Sequence, residues 1–103
     1  PRVFIHHFRA SAEDRLLAYR LTERLAEEGF YIADIRAVDH EIRSGSVRYF
    51  FADDRSPGEA VIEALRDFYA DEDLGARPEA PRNFLSYSRK PHEGTIEVWL
   101  PNR

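Results

Sequence analysis

A chain of 103 residues has room for one domain and not for two. Its 43% of hydrophobic residues can form a core, although a domain of this size buries only about two-thirds of its unfolded surface. A formal net charge of −4 argues against a nucleic-acid partner, whose phosphates require a basic surface, and the lack of cysteine excludes disulfides, zinc ribbons and thiol catalysis.

No run approaches the roughly 18 apolar residues of a membrane span, and no signal peptide is visible. The chain starts at Pro1 and contains no methionine. It therefore reads as a piece of a larger protein, with any targeting or membrane-anchoring segment upstream.

Residues 2 to 8, RVFIHHF, are β-branched and aromatic and predict the first strand. Val3 and Ile5 share one face; Phe4, His6 and Phe8 share the other. Ser11 is placed to cap a helix over 12–28, with Glu13 and Asp14 in its first turn, where the helix dipole favours negative charge. Leu17, Ala18, Leu21 and Leu25 form the apolar stripe of this helix. Gly29 fits the position after its end, with Phe30 folding back as the hydrophobic contact.

Residues 30 to 38, FYIADIRAV, predict a second strand. Ile32 and Ile35 have opposite parity, which a bulge would explain. The polar connection 39–46 leads into a third strand at 47–51, VRYFF. Here Val47, Tyr49 and Phe51 point one way and Arg48 and Phe50 the other. Ser56-Pro57-Gly58-Glu59 then reads as a capping box with proline at the first helical position, opening a helix to about residue 69. Its buried stripe is Val61, Ala64, Leu65 and Phe68.

Residues 71–94 form a long connection that contains Pro78, Pro81 and Pro91. Phe84, Leu85 and Tyr87 are too apolar for a free loop, so this part is expected to dock on the body as a short extended segment. Thr95–Leu100, TIEVWL, predicts the last strand. Ile96, Val98 and Leu100 lie on one face; Thr95, Glu97 and Trp99 lie on the other.

The order β-α-β-β-α-β predicts an α+β fold of the ferredoxin-like kind. In that fold a four-stranded antiparallel sheet has strands 1 and 3 central and both helices on one face. Val3, Ile5, Val47, Tyr49, Phe51, Ile96 and Val98 would then face the helices. The open face would carry Phe4, His6, Phe8, Arg48, Phe50 and Trp99, with Glu97 among them. An exposed aromatic surface of this kind marks a contact site, since rings stack on sugars and arginine bridges hydroxyls. These six residues are the candidate ligand-binding set. The alternative is that the 71–94 segment, or another part of the protein, covers them.

The opening strand RVFIHHF, a helix ending in LAEEGF, and an SVRYFFADD strand running into a second helix together resemble the C-terminal domain of LytR-type cell-envelope proteins. The resemblance covers about residues 2 to 69. At coarser range the element order is similar to that of the sporulation-related (SPOR) domains that bind peptidoglycan. Such LytR-type domains often open with Val-x-Asn-Gly, where this chain has Ile5-His6-His7-Phe8. The resemblance implies a non-catalytic module of the cell envelope or periplasm, binding peptidoglycan or an envelope protein. The composition alone suits the cytoplasm equally. A docking domain with no small ligand is the second reading.

Chemistry has few candidates. Adjacent His6 and His7 point to opposite faces of a strand and do not converge on one metal. Asp39-His40-Glu41 lies in a polar connection. No helical zinc spacing, nucleophile elbow or glycine-rich phosphate loop is present, and Ser44-Gly45-Ser46 is too short to cradle a phosphate. A catalytic reading would need His6 and His40 to meet a carboxylate. Neither a cofactor nor a metal is expected. An RNA-binding sheet of the RRM kind is disfavoured by the charge and by the lack of its aromatic motif. Arg77, Arg82, Arg89 and Lys90 read as solvated surface or as contacts for an acidic partner.

Overall fold

The computed structural model describes residues 1–75 and 81–102. Arg77 and Pro78 of the connection lie outside the described residues. The elements are β1 (Arg2–Phe8), α1 (Ala12–Glu27), β2 (Tyr31–Val38), β3 (Ser46–Tyr49), a 3-10 turn (Ala52–Asp54), α2 (Arg55–Asp71), β4 (Arg82–Asn83) and β5 (Thr95–Trp99). Both helices pack on one face of the sheet, and the fold is α+β.

Local signals act as the sequence predicts in α1. The Ser11 side chain accepts the Asp14 N–H at 3.0 Å. At the other end Gly29 takes φ +95°, the Gly29 N–H donates to the Ala26 carbonyl, and the Phe30 N–H donates to the Leu25 carbonyl. That pair of bonds satisfies two end carbonyls, and glycine adopts this backbone conformation without the Cβ clash other residues meet.

Helix α2 differs from expectation. The chain enters it through the 3-10 turn, so the helix begins at Arg55, and Ser56 sits inside the first turn instead of capping it. Glu59 pairs with Arg55 at 3.1 Å, one helical turn back, and closes no capping box. Pro57 is still tolerated, because first-turn N–H groups have no partner within the helix.

The four-stranded antiparallel, ferredoxin-like sheet is not what forms. Among the described residues five strands make one mixed sheet in the order β2-β1-β5-β3-β4. Strand β1 pairs in parallel with β2 and with β5, β3 pairs in parallel with β4, and β3 pairs antiparallel with β5. The strands central to the four long ones are therefore β1 and β5. In the ferredoxin-like arrangement β3 would separate β1 from β2. Here α1 returns the chain directly alongside β1, and β2 becomes an edge. The connection 39–45 then crosses from one edge to β3. Three strand spacings are about 14 Å and seven extended residues reach about 23 Å, so this crossing fits where a hairpin turn would not.

The expected bulge in β2 is present. The register slips between Val3 and Phe4, so Ala33 is passed over and Asp34 faces Phe4 across the strands. The core contains Val3, Ile5, Val47, Tyr49, Ile96 and Val98 from the sheet, under Leu17, Leu21 and Leu25 of α1 and Val61, Leu65 and Phe68 of α2. Phe51 is the exception among the residues expected to face the helices. It lies beyond the end of β3, is half-buried, and carries the Lys90 ammonium 4.9 Å from its ring centre.

Candidate functional site

The sheet face opposite the helices carries two rows of side chains set by strand register. One row runs Asp34, Phe4, Glu97, Arg48, Arg82; the next runs Arg36, His6, Trp99, Ser46. Four of the six candidate residues thus fall in adjacent rows. Phe8 stands apart at the far end of β1, opposite Val38. Phe50 lies just past β3 and is buried.

Trp99 is the centre of the arrangement. His6 approaches it from β1 and lies flat against it, ring centroids 4.0 Å apart and planes 4° from parallel. Arg48 approaches from β3, its guanidinium carbon 4.5 Å from the Trp99 ring centre. The indole N–H donates to Glu97 Oε1 at 3.0 Å. Neighbours thus flank the ring on both sides, and an added sugar would meet its edge rather than a bare face.

The same pattern repeats outward. Arg36 sits 4.4 Å from the Phe4 ring centre. Arg48 also lies 5.0 Å from Phe84, and Arg82 lies 5.7 Å from Phe84 on the other strand. A guanidinium on an aromatic face is weakly hydrated and keeps its donors available at the ring edge. Arg48 Nε donates to Ser46 Oγ at 3.1 Å, which fixes its orientation.

Part of the face is covered by the chain itself. The Phe84 N–H donates to the Tyr49 carbonyl, extending the β3–β4 ladder by a residue. Phe84 and Tyr87 then pack on Phe50 with centroids 5.7 and 6.1 Å away, and Leu85 packs against the main core. The docking of this segment follows the sequence expectation, and it is why Phe50 is buried. At the other end Ile42 is buried, and its carbonyl accepts the Asn102 N–H at 2.9 Å. Between these covers Phe4, Arg48, Glu97 and Trp99 remain half-exposed.

Electrostatics follow from burial. His6 is 4% exposed, and its Nδ1–H donates to the Val98 carbonyl at 3.3 Å. Desolvation lowers its pKa from the ordinary value. Glu97 and the Val98 carbonyl oppose the shift, while Arg36 and Arg48 add to it. Burial also lowers the Arg48 pKa, with Glu97 opposing.

His40 reaches the site as well, its ring 6.2 Å from that of Trp99. His6, His40 and Glu97 thus all border Trp99. Among the described residues no three His, Cys, Asp or Glu side chains gather so as to hold a metal ion. The Ser44–Ser46 turn has a packing role: a Cβ on Gly45 would stand 2.7 Å from Pro101 Cδ and 3.3 Å from the Trp99 carbonyl oxygen.

Arg36 was not among the residues singled out in the sequence. Its signal is the parity break in β2, because skipping Ala33 turns both Asp34 and Arg36 to the open face. Comparison with family models, with curated proteins and with solved structures returns no match.

Proposed function

We propose that this chain is a non-catalytic cell-envelope binding module that recognises peptidoglycan through the half-exposed sheet face. The observation that carries the reading is the array of guanidinium groups seated on rings: Arg36 on Phe4, Arg48 on Trp99 and Phe84, and Arg82 on Phe84. Against these stand the carboxylates Asp34 and Glu97. The face is thus locally cationic on a chain of net charge −4. It suits a ligand that offers hydroxyls and scattered carboxylates to the guanidinium edges, which peptidoglycan does through its glycan and stem peptides. It does not suit a polyphosphate, which needs a far more basic surface. The envelope assignment rests on the resemblance of residues 2–69 to LytR-type C-terminal domains.

The test is co-sedimentation with purified sacculi, intact and after amidase removal of stem peptides. Wild type is expected to pellet with intact sacculi. The Arg36→Gln, Arg48→Met pair is expected to weaken pelleting about tenfold, equivalent to about 1.4 kcal/mol. Glu63→Gln, on exposed α2 surface, serves as the control. Loss of pelleting after amidase treatment assigns recognition to the stem-peptide carboxylates; retention assigns it to the glycan.

A second reading is a protein or intramolecular docking domain with no small ligand. It is favoured by the covering of Phe50 by Phe84 and Tyr87, since Tyr87 keeps 50% of its surface exposed above that cluster. No pelleting under either condition moves the assignment to this reading.

A further inference from the structure

We propose that the free edge of β2 pairs with β2 of a second copy of this chain, antiparallel and centred on Ile35, to give a two-fold dimer with one continuous sheet. The inference does not require the open face to bind a ligand, although Asp34 and Arg36 belong to that face.

Strand β2 is eight residues long, lies at the sheet edge and contains no proline or lysine. Free N–H and C=O groups at an edge template another strand unless charges or bulges blunt it; β2 carries the charges Asp34 and Arg36 and the bulge at Ala33, and its two charges are placed to match those of a second copy. The outward-pointing groups can be identified. The Val38 carbonyl accepts the Arg9 N–H, so Val38 turns its backbone toward β1. Backbone direction alternates along a strand, so Ala37 and Ile35 turn theirs to the outer edge. The Ile35 N–H agrees: its acceptor is the adjacent Asp34 carboxylate, at 2.9 Å.

An antiparallel pair centred on Ile35 makes that residue a hydrogen-bonded pair with its own copy, each Ile35 N–H leaving the Asp34 carboxylate for the facing Ile35 carbonyl. The side chains then match. Asp34 stands opposite Arg36 of the other copy, and Arg36 opposite Asp34, on the same sheet face. Ala33 and Ala37 stand opposite each other and leave room for close approach. Opposite charges directly across an antiparallel pair are favourable, whereas a one-residue slip destroys the match. Within one chain Arg36 and Asp34 already pair at 3.4 Å, so dimerisation exchanges two internal ion pairs, one in each copy, for two across the interface, and the charges set the register more than the strength of the pairing.

Helix α1 supports the same edge. Arg20 and Arg24 form the flank that faces α2, where they bind Glu72 and Asp71. At 100° per residue, Tyr19 and Ala26 fall toward the opposite flank, on the β2 side. Tyr19 is 53% exposed, so it is open to a neighbour on this flank. The symmetry is that of an isologous two-fold interface.

Sedimentation equilibrium of the chain tests this, with single variants Asp34→Arg and Arg36→Asp, their mixture, and Ile35→Pro. Wild type is expected to rise with concentration from the mass of one 12.0 kDa chain to that of two. Each charge variant alone is expected to stay monomeric, because like charges then face each other twice. Their equimolar mixture is expected to restore the dimer. Ile35→Pro removes an N–H that points away from β1 together with a side chain that packs against the core, so it is read only where circular dichroism shows the fold intact, and there the dimer is expected to be lost; the charge variants and their mixture decide the matter otherwise. Wild type that remains a single chain up to about 1 mM overturns the proposal. So does a dimer indifferent to all three substitutions.

Discussion

His6 lies flat on Trp99, 4.0 Å between ring centroids, with its Nδ1–H on the Val98 carbonyl of the same strand as the indole. A neutral imidazole suits this buried position between Arg36 and Arg48, and burial lowers its pKa below the ordinary 6.5. The unfolded chain therefore binds the proton more readily than the folded one. The sign follows: stability is full above about pH 6.5 and falls as the pH drops from there through the lowered folded value. Thermal melts from pH 7.5 to 4.5 are expected to show this decline. A His6→Phe variant, which keeps a stacked ring and cannot titrate, is expected to lose that part of it. Trp99 is the sole tryptophan, so its fluorescence reports the same step.

Arg48 and Trp99 form the next contact outward, at 4.5 Å. Partly desolvated cation–π pairs are worth about 0.5 to 2 kcal/mol. A double-mutant cycle with Arg48→Met and Trp99→Leu, read by urea unfolding, is expected to give a coupling of about 1 kcal/mol. A coupling near zero would mean that Arg48 is held by Ser46 and Phe84 without help from the indole.

Gly45 is the tightest point between the crossing connection and the C-terminal segment. An added Cβ would meet the Pro101 ring at 2.7 Å, and a proline ring has no rotamer with which to withdraw. Gly45→Ala is expected to destabilise by about 1 to 3 kcal/mol, the usual cost of overpacking. Pro101→Ala is expected to relieve most of that loss in the double variant, because Cγ and Cδ are the atoms struck.

Much of the local structure was legible in the sequence because it rests on short-range chemistry. Ser11, Gly29 and the stripe of Leu17, Leu21 and Leu25 each declare themselves within one or two helical turns. The open-face grouping of Phe4, His6, Arg48 and Trp99 followed from period-two alternation, which holds whatever the order of strands. The order itself was not legible. Whether β2 or β3 lies beside β1 depends on where β3 finds its partner, and it pairs with β5 far along the chain, as Val47 does with Val98. The seven-residue connection 39–45 permits a crossing that the element order alone does not reveal. The burial of Phe50 likewise depends on Phe84 and Tyr87, which a proline-broken segment brings back to the sheet.

Two residues at the start of α2, Asp54 and Ser56, separate the sequence reading from the structure. If Ser56 capped the helix, replacing it with alanine would cost about 1 kcal/mol. In the structure Ser56 is exposed inside the first turn, where alanine is the better helix former. Ser56→Ala is therefore expected to be neutral or stabilising by a few tenths of a kcal/mol. Asp54 is the anchoring residue instead. It is buried, ends the 3-10 turn, and its carboxylate accepts the Gly94 N–H at 2.8 Å, forty positions along the chain. That bond ties the entry of α2 to the start of β5. Gly94 in turn accepts the Arg2 N–H through its carbonyl, which joins β1 to the same point. Removing a charged acceptor from a partly buried N–H costs up to about 1.5 to 3 kcal/mol. Asp54→Ala is expected to lose that much in urea unfolding and to speed amide exchange at Gly94 selectively over Ile96. Equal costs for the two substitutions would restore Ser56 as the cap.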